Sequence, residues 1–328
     1  MGLYTEDGYL DFYYVWHNSP TFTFIVGGRG TGKTYGALKY VIDNGITFVY
    51  MRRTQTQLDI INNNEFSPFR AIDEDITTHK INHQIGGVYA ASGERIGYTV
   101  ALSTISNVRG FSASDIECII YDEFIPEKHE RPIKEETSAF LNAYETINRN
   151  RELQGRHPVK VFALANSNRL DNPLFIELGL IPLVEKQIKK NRPVQTYADR
   201  GVMIVLLTGS RISEEKRGTA LYQIATSGYK DMALGNDFAV SYTGCRALPL
   251  IEYAPLIECG GFYLYRHKSG NNIYVTRHKS GTFDSAEVEY FKKYYRKSVL
   301  QKALSNRLYF DCFDSKANFI KTFDLPAF

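Results

Sequence analysis

The sequence has no run of 18 uninterrupted apolar residues, so no segment is long and apolar enough to read as a membrane-spanning helix. Its first sixteen residues lack the basic start of a secretory signal and carry Glu6, Asp7 and Asp11 instead, which points to a chain that works in the cytosol. Cysteine is scarce. The four present, Cys118, Cys245, Cys259 and Cys312, form no Cys-x-x-Cys pair, so neither zinc-ligand spacing nor a disulfide framework is suggested. Charge of one sign is not in excess either: a formal net charge of +3 permits local basic patches without demanding a polyanionic partner. Apolar content is ordinary, at 43%. The 328 residues exceed the roughly 250–300 at which a single core stops growing, so two domains are expected.

Against these absences stands one dense motif. Gly27-Gly28-Arg29-Gly30-Thr31-Gly32-Lys33-Thr34 matches the phosphate-binding loop at every required position, and the apolar run Phe22–Val26 before it reads as a buried strand. The glycines let backbone N–H groups face a β-phosphate, Lys33 reaches the β and γ oxygens, and the Thr34 hydroxyl is placed to ligate Mg²⁺. A helix is expected from Tyr35 to about Asp43, its N-terminal dipole adding to the attraction for an anion. ATP and Mg²⁺ are the implied ligands.

A second strand, Ile116–Tyr121, ends in Asp122-Glu123. An aspartate there can hold Mg²⁺ beside the loop threonine, and an adjacent glutamate can activate the attacking water. An acidic pair at a strand end is often only a solvated turn; the phosphate loop gives this one its meaning. A third strand, Val159–Ala165, closes on Asn166-Ser167-Asn168, and Asn166 is a candidate sensor of the γ-phosphate or the water, or else the cap of the helix near Asn172-Pro173. Thr47–Met51 is a further strand closed by Arg52 and Arg53, which either are solvated or contact nucleotide, a neighbouring subunit or DNA. Residues 77–102 look like a small antiparallel insertion broken at Gly86-Gly87 and Ser92-Gly93. Glu135 to about Asn148 reads as a helix closed by Asn148-Arg149-Asn150-Arg151. Its arginines either suit the helix dipole or supply an arginine finger to the next subunit.

The loop GGRGTGKT, the stretch CIIYDEF, the Arg109-Gly110 step, INRNRE and ALANSN together resemble phage genome-packaging ATPases, most of all the encapsidation ATPases of small podophages with protein-primed linear genomes. The likeness covers residues 22 to about 175. It implies an α/β P-loop NTPase of the additional-strand, catalytic-glutamate type, working as a large-terminase-like motor. Such a motor is a homo-oligomeric ring, usually a pentamer, docked at the portal (connector) of a prohead and driving double-stranded DNA inward with ATP. A structural packaging RNA under the ring is an open possibility. Carried over residue by residue, Lys33 and Thr34 match the phosphate loop, Asp122 the metal ligand, Glu123 the catalytic acid and Arg149 the first arginine of the finger stretch. The setting implied is the host cytoplasm and, transiently, the prohead vertex, not the mature virion.

Residues 201–235 combine the strand-like Val202–Leu207 with glycines and a charged stretch, and read as a linker subdomain between a motor domain of residues 1–200 and a C-terminal domain of residues 236–328. In the latter, Gly261–Arg266 and Asn272–Arg277 form a hairpin, each strand followed by Arg-His-Lys-Ser-Gly. Two such turns would present paired basic tips, with Arg266, Lys268, Arg277 and Lys279 as candidate DNA-phosphate contacts; a solvated hairpin is the plainer reading. Large terminases follow the motor with a ribonuclease-H-like nuclease. Here Tyr263 and Tyr265 stand on the first strand without an aspartate, and Asp311 with Asp314 is a weak pair, so the expectation is a small α+β domain of that fold without cleavage. Tyr290–Lys297 reads as a helix basic on one side, either a contact for nucleic acid or the prohead vertex or, more plainly, a solvent-facing helix with its tyrosines packed inward. A cellular P-loop ATPase, whether helicase or AAA-type remodeller, and a nucleotide-gated switch are the alternatives, separated from a DNA motor by DNA-stimulated hydrolysis.

Overall fold

The computed structural model describes residues 2–107, 114–126, 130, 133–166, 170, 172–208, 210–225, 230, 234, 245, 248–305 and 307–326. The chain divides into two compact units: residues 1–168, 172–174 and 187–238, and residues 169–171, 175–186 and 239–328.

The first unit is built on nine strands: β1 (Phe22–Gly27), β2 (Phe48–Arg52), β3 (Thr77–Lys80), β4 (Ile85–Tyr89), β5 (Arg95–Ala101), β6 (Cys118–Asp122), β7 (Lys160–Ala165), β8 (Val194–Tyr197) and β9 (Val202–Leu207). They lie in the order β3-β4-β5-β2-β6-β7-β1-β9-β8. The central six, from β5 to β9, run parallel, and β3, β4 and β8 are antiparallel at the margins. A parallel sheet is covered on both faces, so its inner strands are apolar throughout, as Phe24-Ile25-Val26 and the fully buried Val202–Leu207 are.

Helices α1 (Phe12–Asn18), α2 (Lys33–Asp43), α3 (Gln55–Ile61) and α4 (Glu136–Asn148) precede β7 or the sheet's return. α5 (Pro173–Glu177) and α6 (Ile181–Lys189) follow β7, and α7 (Arg211–Lys216) and α8 (Ala220–Ile224) follow β9. α2 seats Lys33, Ala37, Leu38 and Val41 inward, the spacing of one helical face, and Ala37, Leu38 and Val41 join Ile25, Phe162 and Val205 in one core. Each fully buried Leu or Val there contributes roughly 1.5–3 kcal/mol. α3 opens on a capping box, Thr54 and Gln57 satisfying each other's backbone N–H.

Two sequence expectations are corrected here. Val202–Leu207 is no linker: it is the strand paired with β1 along its whole length, from Phe22 against Val202 to Gly27 against Leu207. The first unit therefore runs past residue 200 and takes in α7 and α8. The stretch at 77–102 is antiparallel as expected, β3, β4 and β5 pairing in turn, and β5 joins it to the main sheet by pairing parallel with β2; what differs is the expected break at Gly86-Gly87. Gly86 and Gly87 lie inside β4 rather than breaking it, because a β-carbon at Gly86 would collide with Thr99 Oγ1 and, at 2.7 Å, with Asn62 Oδ1.

The second unit holds a five-stranded sheet, β10 (Tyr253–Cys259), β11 (Phe262–His267), β12 (Ile273–Thr276), β13 (Ser285–Ala286) and β14 (Leu308–Phe310), in the order β13-β10-β11-β12-β14. β10, β11 and β12 form an antiparallel meander, and β13 and β14 join its two sides in parallel. α9 (Val288–Tyr294), α10 (Arg296–Leu304) and α11 (Phe313–Thr322), with residues 175–186 from α5 and α6, complete this α+β unit, whose core gathers Leu264, Val275, Phe291, Val299, Phe310 and Phe319. The basic stretch at 290–297 is thus two helices meeting at Tyr295, and Tyr290 and Tyr294 are half-exposed rather than packed inward. No helix among the described residues is long and apolar enough to cross a membrane.

Candidate active site

The C-terminal ends of β1, β6, β7 and β2 share one edge of the parallel sheet, where crevices in open α/β sheets receive ligands. β1 delivers the loop of residues 27–34. Gly30 and Gly32 adopt φ of 76° and 81°, in the left-handed region where a β-carbon is strained. Gly32 is the N-cap from which α2 starts at Lys33, two residues before the expected Tyr35. The N-terminal segment braces the loop from outside: Leu10 N donates to Thr31 O at 2.9 Å.

Lys33 curls back into its own loop. Its ammonium is buried and donates to Gly28 O at 2.7 Å, Gly27 O at 3.1 Å and Thr31 Oγ1 at 3.1 Å. Burial pushes its pKa down to about 7; the charges of Lys216 and Arg29 push the same way, and Asp122 and Glu123 oppose them. A buried cation hydrogen-bonded only to neutral oxygens is a site made for an anion, and a polyphosphate fits it. The Thr34 hydroxyl donates to Asp122 Oδ1 at 3.0 Å, bringing together two oxygens of the kind Mg²⁺ takes.

Asp122 is the hub. Its Oδ2 accepts from Tyr50 OH at 2.6 Å and from Arg52 Nη1 at 3.0 Å, and its Oδ1 also accepts from Glu123 N at 3.1 Å. Arg52 reaches on to Glu123 Oε2 through its other amino group. Glu123 has φ of 56°, a left-handed residue directly after the strand, and burial raises its pKa while Arg52 draws it down. A strained non-glycine backbone beside a carboxylate of raised pKa is a combination that gathers at reactive sites. Asn166 follows β7 directly and is exposed; β7 pairs with both β1 and β6, so it stands on the same edge as Gly27 and Asp122.

One partner escaped the sequence reading. Tyr50 gave no signal beyond being aromatic in a strand, although it lies two residues from Arg52 on the same side of β2. Arg53, expected to be solvated or to contact nucleotide, a neighbouring subunit or DNA, is instead fully buried and donates within the chain to Glu136 Oε1 at 2.7 Å, Glu136 Oε2 at 3.0 Å and Glu130 Oε2 at 2.6 Å.

Beyond α4 the two candidate finger residues part company. Arg151 is buried and donates to Ser114 O at 2.7 Å. Arg149 is exposed and ends α4 with φ of 49° and ψ of −135°, a backbone that glycine ordinarily takes.

The profile of the Podovirus DNA encapsidation protein (Gp16) family matches residues 13–244, from α1 past β9 and thus over this whole edge. The chain belongs to that family.

Among its relatives is the DNA packaging protein of Bacillus phage B103, 29% identical over 221 residues, which are 66% of this chain and 63% of that protein. Another is the DNA packaging protein of Bacillus phage phi29, 28% identical over 221 residues, or 66% of this chain and 61% of the relative. The chain thus spans a little over three fifths of the length of these packaging proteins. In fold it is similar to a chain of the bacteriophage Phi-29 viral genome packaging motor assembly, with a TM-score of 0.63, 21% identity and 98% of each chain covered.

In this encapsidation-family chain the basic hairpin differs from expectation. The two Arg-His-Lys-Ser-Gly segments lie at opposite ends of the sheet, because antiparallel β11 and β12 place Arg266 against Ile273 and Tyr263 against Thr276. They form no single tip. All four candidate contacts are exposed, but Arg277 lies 3.5 Å from Asp314 and Lys279 3.4 Å from Glu258. Arg109, Gly110, Ser167 and Asn168 lie outside the described residues.

Proposed function

We propose that this chain is an ATP-driven translocase that moves double-stranded viral DNA through a portal into a preformed prohead, working as a homo-oligomeric ring. The observation that carries the reading is the junction of phosphate loop and acidic strand: Lys33 buried among its own carbonyls, with Thr34 and Asp122 in contact beside Glu123. Family membership supplies the direction of the work.

ATP would lie along residues 27–34, its phosphates replacing the neutral oxygens that Lys33 now holds and facing the backbone N–H groups at the start of α2. Thr34 and Asp122 would hold Mg²⁺, which would neutralise charge on the phosphate oxygens. Glu123 is the general base that orients water against the γ-phosphate; burial keeps its proton affinity nearer the range useful for that work. For it to act, the Arg52 contact must give way. Arg149, exposed at the end of α4 while Arg151 is committed to Ser114, is the finger offered to the neighbouring subunit. A pentameric ring and a packaging RNA are part of the same proposal.

The second unit is proposed to touch DNA phosphates through Arg266, Lys268, Arg277 and Lys279 without cutting the strand. Both carboxylates that would begin a nuclease site are engaged within the chain: Asp311 accepts from Thr276 Oγ1 at 2.6 Å and from Cys312 N at 2.8 Å, and Asp314 accepts from Asn318 at 3.0 Å.

The test is ATP hydrolysis with and without double-stranded DNA. DNA should stimulate the wild type. Lys33→Ala should lose nucleotide binding, and Glu123→Gln should bind ATP yet hydrolyse it far more slowly, because the amide keeps the volume and loses the base. Equal hydrolysis by Glu123→Gln and wild type removes Glu123 from the role, and hydrolysis indifferent to DNA favours a nucleotide-gated switch.

A further inference from the structure

The phosphate loop faces a second lysine that its motif does not contain. After β9 the chain turns at Ser210 into α7, whose last residue is Lys216. The turn is firmly built: Ser210 is 1% exposed and its hydroxyl donates to Gly8 O at 2.6 Å, and Ser213 on the next turn is also buried. Gly8, with φ of 83°, packs so closely on this turn that a β-carbon there would lie 2.9 Å from Arg211 Cβ. The same N-terminal segment holds the loop itself, since a β-carbon at Gly32 would lie 3.1 Å from the Tyr9 ring. Loop and helix are thus fastened to one brace.

From that position the Lys216 side chain lies across Gly30. A β-carbon at Gly30 would fall inside the van der Waals radius of Lys216 Nζ and 2.9 Å from its Cε. Among the described residues the Lys216 ammonium has no hydrogen-bond or ion-pair partner, whereas Arg211 on the same helix pairs with Glu215 at 2.9 Å. Its charge is felt inside the loop, where it helps to depress the pKa of Lys33. Two ammonium groups converging on one glycine-rich turn repel each other unless an anion lies between them.

We propose that Lys216 is a second phosphate-binding lysine in cis, closing on the polyphosphate of the bound nucleotide from the side opposite Lys33. This rests on the reading of residues 27–34 as an ATP site and adds to it a contact from beyond β9. The required chemistry is that of a compact cation on a flexible stem, which meets phosphate oxygens as a point charge. Gly30 is then needed for more than loop curvature: any side chain there would displace Lys216 from the loop.

The experiment is nucleotide binding by the full chain, with ATP, ADP and AMP titrated separately into wild type, Lys216→Ala, Lys216→Arg and Lys33→Ala. Lys216→Ala should weaken ATP and ADP binding roughly 10-fold or more, the range for a lost charge-assisted contact. AMP binding should be unchanged. Lys216→Arg should restore most of the loss, which a merely structural role in α7 would not allow. Thermal unfolding without nucleotide should match wild type in both variants, because the ammonium makes no contact that the fold needs. If Lys33→Ala abolishes binding while Lys216→Ala leaves ATP affinity intact, the proposal falls and the ATP site stands. If Lys33→Ala also binds normally, the ATP-site reading itself has failed. A loss in Lys216→Ala that Lys216→Arg does not repair, or that extends equally to AMP, likewise overturns a phosphate contact.

Discussion

Burial makes the charge of Lys33 costly, and this gives the side chain a measurable proton signature. Its folded pKa is about 7 against an ordinary lysine value of 10.5, so between those values the unfolded chain carries a proton that the folded, nucleotide-free chain lacks. Stability of the nucleotide-free protein therefore rises as pH climbs from about 7 toward 10.5. Phosphate oxygens around the ammonium restore its affinity for the proton, so ATP binding at pH 8 should be accompanied by proton uptake. Calorimetric titrations at that pH in two buffers of different ionisation enthalpy should give different apparent heats. Identical heats would mean that Lys33 is already charged without nucleotide. The Asp122 carboxylate beside it accepts from four donors, the Thr34, Tyr50 and Arg52 side chains and the Glu123 backbone.

β2 shows how one strand serves two sites. Side chains alternate along a strand, so Tyr50 and Arg52 meet Asp122 while Arg53, continuing the alternation, is turned to Glu136 on α4. The Arg53–Glu136 pair is wholly buried, so Arg53→Met should destabilise the fold by about 3–5 kcal/mol, chiefly by leaving the Glu136 charge unpaired. Adding Glu136→Leu should recover much of that loss, and denaturant midpoints of the single and double variants decide it. None of this was visible in the residues themselves. Arg52-Arg53 reads as two like charges at a strand end, and only the location of β6 and α4 separates their partners. The phosphate loop, Asp122 and Glu123 were legible because their chemistry is local: strand, turn and acidic end are contiguous in the chain. β9 was misread for the opposite reason. Its six apolar residues declare a buried strand, yet nothing nearby says that its neighbour is β1, and flanking glycines and charges resemble a linker. The repeated basic pentapeptide misled in a similar way, since a repeat one hairpin apart lands at opposite ends of an antiparallel pair.

At the scale of the whole assembly the proposed ring requires that each site be completed by its neighbour. Arg149→Ala should bind ATP normally and lose hydrolysis by roughly 10³-fold or more, the range for a finger acting across a boundary. Mixing it with Glu123→Gln should restore part of the activity, because an interface can then pair an intact arginine with an intact glutamate. No recovery at any mixing ratio would return Arg149 to the role of a helix end. Within one chain, the pairing of β1 with β9 has a consequence for birth rather than work. Gly27 is packed so tightly on Leu207 that an added β-carbon would lie 2.6 Å from Leu207 Cβ, so the strand that carries the phosphate loop has a neighbour far downstream in the chain. At ordinary synthesis rates of about 5–20 residues per second, β1 leaves the ribosome on the order of 10–40 s before β9 does. Until then an apolar strand waits with an edge unpaired, open to pairing with another copy of the chain.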